Sequence, residues 1–137
     1  MTSHRTAVVD AVCRLALDYE ADHVSVCDLY FRSGYDEPGI QIGIGELEAC
    51  FSRHPGWVDA WFNFSDDKRS GGWWVRETPH GFEVGNVDDP ARSRLMFETK
   101  DRACAEYVLR ELANSARVCK SLRGRVAGVV LRILGDR

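Results

Sequence analysis

The stretch WWVRETPHGFEVGNV, residues 73–87, holds two β-prone runs on either side of a turn sequence. Both runs are rich in aromatic and β-branched side chains, and TPHG between them is composed of turn formers. Neighbouring side chains of a strand point to opposite faces, so Trp73 and Trp74 must lie on opposite sides of the first run. The stretch therefore predicts two antiparallel strands, with one tryptophan of the pair in the core.

Four more runs extend the predicted sheet. Residues 57–64 precede Trp73 across SDDKRSGG, which predicts a hairpin with a long loop. Residues 94–99 follow the turn sequence DDPARS, residues 24–31 alternate as in a first strand, and residues 40–44 suggest a short strand. We therefore expect an antiparallel meander of about four or five strands.

Helices are predicted where apolar side chains recur every three or four positions, at residues 6–19, 45–53, 99–115 and 117–134. Pro55 excludes His54 from helical dihedrals and should end the second of these. Thr99 is a good N-cap, with Asp101 in the first turn after it. The chain reads as one α+β domain over 1–137, with N- and C-terminal helices packed on the sheet.

Charge is unevenly distributed over the 137 residues, although the net charge is only −3. Residues 1–60 hold ten acids and four bases (−6), 61–99 seven and five (−2), and 100–137 four and nine (+5). This segregation either steers a charged partner or is neutralised within the fold. Because no long apolar run or signal-peptide core is present, we expect a cytoplasmic protein with no membrane partner.

The cysteines and histidines do not form a recognisable chemical motif. The five cysteines are an odd number, widely spaced and without a C-x-x-C pair, which predicts buried free thiols rather than a disulfide framework or a zinc site. The four histidines are isolated, so neither a metal site nor a catalytic site is predicted from them. We expect no cofactor.

Paired acids occupy three predicted turns, and they are the most distinctive polar feature of the chain. If the turns lie at one edge of the sheet, the acids form a rim about the exposed tryptophan, and such a rim suits a basic protein partner. The alternative is that these acids are simply good turn residues. The predicted partner-binding residues are Asp66, Asp67 and Trp74, with Asp36, Glu37, Asp88 and Asp89 as rim contacts.

The segment WVDAWFNFSDDKRSGGWWVRE…GFEVG…RLMFETKDRACAEYVLREL, residues 57–112, resembles the small bacterial immunity proteins of polymorphic and contact-dependent toxin systems. In that class a tryptophan-rich meander is often followed by an F-x-[ST]-x-[DE]-x-A-C-x-[FY] segment that opens a helix. This chain matches the segment at Phe97, Thr99, Asp101, Ala103, Cys104 and, one place late, Tyr107.

The resemblance implies a cytoplasmic inhibitor that binds the C-terminal toxin domain of a secreted protein and occludes its active site. A nuclease toxin has a basic cleft because it must hold phosphates, so an acidic inhibitor surface would complement it. Aromatic anchors would supply most of the affinity. Such a protein is not an enzyme and carries no cofactor.

Two other classes of function stay open. The basic C-terminal helix is a candidate for nucleic-acid binding, although the sequence pI near 5.8 does not favour it. The second alternative is that the protein is a small enzyme. The sequence does not indicate the oligomeric state.

Overall fold

The computed structural model describes residues 3–67, 72–89 and 94–135, with side chains described as far as Leu122. In chain order the elements are α1 (His4–Asp22), α2 (Val26–Ser33), α3 (Ile44–Arg53), α4 (Pro55–Asp67), β1 (Trp73–Thr78), β2 (Gly81–Asn86), β3 (Leu95–Phe97) and α5 (Lys100–Gly135). The α+β class is confirmed. The remaining residues of the predicted loops SDDKRSGG and DDPARS, and the side chains of the basic tail beyond Leu122, lie outside the described residues.

The sheet of the described chain has three antiparallel strands in the order β1-β2-β3, so the prediction of four or five strands is wrong. Trp73 pairs with Asn86 and Thr78 with Gly81, which confirms the predicted pairing across TPHG. Val75 and Val84 face each other and are fully buried. The two tryptophans do point to opposite faces, because Trp73 lies on the face of Val75 and Trp74 on the other.

Residues 57–64 lie in helix α4, where a strand was predicted. Pro55 stands at its first position, where proline suits a helix because its fixed φ is preorganised and no N–H partner is needed. Val58, Trp61 and Ser65 are buried at spacings of three and four, which is the helical period. The aromatic content of residues 57–64 favours a strand in the sequence, but the spacing of the buried side chains is that of a helix.

Residues 24–31 also fold differently from the prediction, since α2 replaces the expected first strand. The Ser25 hydroxyl accepts a hydrogen bond from the Asp28 amide at 3.1 Å, which caps the helix at its N-terminus. Gly34 ends it in the left-handed conformation, with φ of 84°. The predicted short strand at 40–44 is also wrong, because residues 40–43 belong to no element and Ile44 opens α3.

The other helices are confirmed. α1 and α3 cover the predicted periodic segments, whereas the two helices predicted at 99–115 and 117–134 form one continuous helix, α5, from Lys100 through Gly135. Thr99 caps α5, since its hydroxyl accepts from the Arg102 amide at 3.4 Å. α5 contacts α2, α3, α4 and all three strands, so one helix organises the core. Among the described residues, no helix is both long and apolar enough to cross a membrane.

Cys27 and Cys119 form a disulfide, which corrects the prediction of five free thiols. Their Cα atoms lie 5.3 Å apart and the bond ties α2 to α5 across 92 positions of sequence. Cysteines that are far apart in the sequence can still be neighbours in the folded protein. Cys13, Cys50 and Cys104 are free and buried, as predicted.

Candidate partner-binding surface

Helices α1 and α4 lie side by side and run in the same direction. The Arg14 guanidinium lies 5.9 Å from the ring of Trp57, and the Trp61 indole N–H donates to the Cys13 carbonyl at 2.8 Å. The Tyr19 ring then meets the Phe64 ring edge to face at 5.6 Å. From the Arg14–Trp57 contact to the Tyr19–Phe64 contact the residue number rises on both helices, so their C-terminal ends lie at the same end of the molecule.

That end carries four carboxylates in the last turns of the two helices. They belong to Glu20, Asp22, Asp66 and Asp67, all exposed, and we call this group the acidic helix end. Neither last turn contains a basic residue. The C-terminus of a helix is the negative end of its dipole, where a carboxylate is unfavourable and a cation favourable. The acidic helix end therefore concentrates negative potential from side chains and backbone together.

Many acids elsewhere in the fold are paired. Glu37 meets His4 at 2.7 Å, Asp59 meets Lys100 at 2.7 Å, and Glu48 meets Arg102 at 2.8 Å. Within residues 3–67, 72–89 and 94–122, by contrast, no ion pair involves any member of the acidic helix end.

A cleft of about 140 Å³ opens between the two helices at this end. From α1 it is lined by Ala16, Tyr19 and Glu20. From α4 it is lined by Ala60, Asn63, Phe64 and Asp67. The lining is mostly apolar and includes one acidic residue from each helix, so the cleft combines hydrophobic surface with negative charge.

Two further hollows adjoin the cleft. One shares Tyr19 and Glu20 with it and continues to Ser25 before α2, and the other shares Phe64 and continues to the disulfide and Val118 of α5. Tyr19 and Val118 are each more than two-fifths exposed, which is high for large apolar side chains in this fold. Exposed apolar side chains therefore adjoin the acidic helix end on this surface.

The structure does not bring the three predicted acid pairs into one rim. Asp36 and Glu37 lie beyond α2 beside the start of α1, because Glu37 bonds His4 and Gly34 lies close to Val8. From His4 to Tyr19 the helix rises about 22 Å at 1.5 Å per residue. Asp36 and Glu37 are therefore at the opposite end of α1 from Asp66 and Asp67.

Asp88 and Asp89 occupy the turn that follows β2. The Asp88 amide donates to the Asn86 side-chain oxygen at 2.8 Å, and the Val87 amide donates to the Gly72 carbonyl at 3.0 Å. This turn therefore lies where β1 begins, on the side of the sheet that the chain reaches after leaving α4. Both carboxylates are exposed.

Trp74 lies in a cationic setting, where the sequence suggested an acidic one. The Arg76 guanidinium stacks over its ring at 4.4 Å, and both lie on the sheet face opposite Val75. Gly85 opposes Trp74 in the next strand, and a Cβ there would collide with the indole, so the ring needs glycine beneath it. Beside it, the buried Glu83 holds Arg76 and Arg94 at 3.1 Å each.

The free cysteines do not have the properties of nucleophiles. Burial raises the pKa of the Cys13 and Cys104 thiols, so both are neutral at physiological pH. In the described part of the chain, no group of three or more potential metal ligands is close enough to hold an ion. Basic side chains of α5 beyond Leu122 are not described, so nucleic-acid binding through the tail stays a prediction from sequence.

Comparison of the chain with protein-family models, with curated proteins and with solved structures found no match.

Sequence reasoning found Asp66 and Asp67 but missed Tyr19, Glu20 and Phe64. A signal for them was present, because α1 ends in YEAD (19–22) and α4 ends in FSDD (64–67). Each tetrapeptide is an aromatic ring followed by two acids in a helix's last turn. The likeness was hidden because residues 57–64 had been read as a strand.

Proposed function

We propose that this protein is an immunity-type inhibitor that binds a basic toxin domain through the acidic helix end and the cleft beside it. The observation that carries the proposal is the placement of four carboxylates at the C-termini of two parallel helices. A fold that only needed solubility would place those acids at helix N-termini, where the dipole stabilises them.

The arrangement works against the stability of the unbound protein. Each carboxylate at a helix C-terminus is unfavourable by about 0.3–1 kcal/mol at low ionic strength, and the four also repel one another. Departures of this kind from local electrostatic rules are expected where a surface serves binding. A cationic partner removes this unfavourable electrostatic free energy, because its charges compensate both the carboxylates and the helix dipoles.

The same surface offers the two contributions that a tight inhibitor needs. Negative potential accelerates encounter with a basic target, as in other electrostatically steered complexes. Tyr19 and Phe64 then provide aromatic contact area, and interface energy concentrates in a few such side chains. Occlusion follows if the target's basic cleft holds phosphate, since the inhibitor then covers the catalytic groups.

The resemblance to immunity proteins supports the class of protein rather than the surface. Its matched segment forms the end of β3, the cap of α5 and the first turns of that helix. Ala103, Cys104 and Tyr107 are fully buried. These positions maintain the fold, so the interface must be argued from the acidic helix end. The cytoplasmic location stays a prediction from sequence, and the Cys27–Cys119 disulfide argues against it, because disulfides persist mainly in oxidising compartments.

The proposal is tested by calorimetric binding of the toxin domain encoded beside this chain. We expect an Asp66→Asn/Asp67→Asn variant to bind about tenfold or more weakly, with a shallower salt dependence. The matched control, Asp36→Asn/Glu37→Gln, removes the same charge from the other end of α1 and should change affinity less than about twofold. Equal losses in both variants, or failure of the wild type to bind, would contradict the proposal.

A further inference from the structure

We infer that the cleft between α1 and α4 is a receptor for one cationic side chain, arginine or lysine, of the partner protein. The inference rests on the proposed function in taking the partner to be a basic protein. It goes further by assigning the central contact to a defined cavity.

Small residues create the cleft. Ala16 and Ala60 are buried on the facing sides of the two helices, and their methyl groups leave open space where larger side chains would close it. The Tyr19 and Phe64 rings, at an interplanar angle of 88°, form the wall toward the helix ends. The aliphatic stem of a lysine or arginine packs well against such alanine and aromatic surface.

The lining includes residues that carry acceptors for a cation. Glu20 lines the cleft from α1, and Asp67 and Asn63 line it from α4. A guanidinium has five donors and an ammonium three, and neither has an acceptor. The aromatic wall adds a favourable interaction because cations are attracted to the faces of such rings.

Charge and surface composition decide between possible occupants. The cleft itself, at about 140 Å³, is smaller than the roughly 300–1,000 Å³ of usual small-molecule sites. Anionic groups are repelled by the two carboxylates and by both helix C-termini. A neutral aliphatic side chain would fill the floor but leave the carboxylates without compensation. A single cationic side chain satisfies both parts of the lining.

The test is an NMR titration that does not require the toxin. The probe is the peptide acetyl-Gly-Arg-Gly-amide, and its control carries citrulline, which keeps the shape of arginine without the charge. Backbone amides of Ala16, Ala60 and Asn63 report on the cleft. We expect saturable shifts at these amides with the arginine peptide, and at least about fivefold weaker binding of the citrulline peptide.

Two single variants separate the cleft from general negative charge. Asp67 lines the cleft, whereas its neighbour Asp66 carries the same charge in the same turn outside the lining. We expect Asp67→Asn to weaken the arginine peptide about fivefold and Asp66→Asn less than about twofold. Equal effects of the two variants would overturn the inference, as would equal binding of the citrulline peptide.

Failure of this inference and failure of the proposed function are distinguishable. Shifts of the same amides with protein concentration alone would mean that a second copy of the chain fills the cleft, and would overturn the inference. If the toxin binds and the arginine peptide does not reach the cleft, only the cationic receptor is wrong. If the peptide binds and the toxin does not, the inhibitor role fails.

Discussion

The two ends of helix α1 differ in how their charged side chains are arranged: those at the N-terminal end are paired, and those at the C-terminal end are of like sign. At the N-terminal end, His4 pairs with Glu37 and Arg5 hydrogen-bonds Glu46, so the charged groups connect α1 to the segments packed beside it. At the C-terminal end, the acidic helix end gathers like charges that have no ion pair within the described residues. Charges at the first end serve the fold, and we propose that those at the second serve a partner.

The acidic helix end exists because α1 and α4 pack in parallel. Trp61 of α4 fixes this packing through its contact with α1. It is 1% exposed and bonds the Cys13 carbonyl. Trp61→Ala should lower the free energy of unfolding by about 3–5 kcal/mol, because it removes a large core side chain and leaves that carbonyl unpaired. Urea unfolding measures the loss. The control is Trp57→Ala, because Trp57 is only half-buried. An equal loss of free energy of unfolding in that variant would contradict the special role of Trp61 in packing α4 against α1.

The disulfide stabilises the neighbourhood of the acidic helix end by joining α2 to α5. Replacing both Cys27 and Cys119 by serine should lower the free energy of unfolding by about 2–4 kcal/mol, since the bond closes a long loop. Thermal unfolding with and without reductant checks this. Reductant should destabilise the wild type and leave the double variant unchanged, and an equal response in both proteins would be evidence against the bond.

The N-terminal end should lose stability when its pairing is removed. The hydrogen bond from Arg5 lowers the pKa of Glu46, so the ionised pair stabilises the fold above the unfolded pKa of about 4.3. That contribution disappears as the pH falls through the lowered folded pKa. Glu46→Gln should therefore reduce the unfolding midpoint slightly at pH 7, and the difference should vanish in acid. A difference that persists in acid would contradict the ion pair as its source.

Removing charge from the acidic helix end should stabilise the protein, whereas removing Glu46 should destabilise it. Asp66→Asn/Asp67→Asn should raise the free energy of unfolding by about 0.3–1 kcal/mol per residue at low salt, because each change removes a negative charge from a helix C-terminus. The gain should shrink at high salt through screening. Chemical unfolding at two salt concentrations measures it. A loss of stability would mean that these carboxylates serve the fold after all.

Much of the fold was predictable from sequence, and the errors have one cause. The pairing of β1 with β2, the cap of α5 and the helices α1 and α3 all followed from turn formers, caps and apolar spacing. Residues 24–31 and 57–64 were misread because aromatic and β-branched content outweighed Ser25 and Pro55 as helix starts. β-propensity reflects packing context more than backbone preference, so local start signals are the better guide.

The site was predictable only in part, because it depends on which helices become neighbours. Asp66 and Asp67 stood out as a charged pair, but Glu20 joins them only through the parallel packing of α1 and α4. The sequence places Trp74 in an acidic rim, whereas its neighbour on the same face of β1 is Arg76. The Cys27–Cys119 bond likewise depends on α2 meeting α5, which spacing along the chain does not encode.

The most direct test is the rate at which this protein associates with the partner that we propose, a basic toxin domain encoded by a neighbouring gene, followed by stopped flow over a range of ionic strength. The account predicts fast association that slows steeply with added salt, and a clear reduction of that slope in the Asp66→Asn/Asp67→Asn variant. Association with the same salt dependence in the variant and the wild type would contradict it.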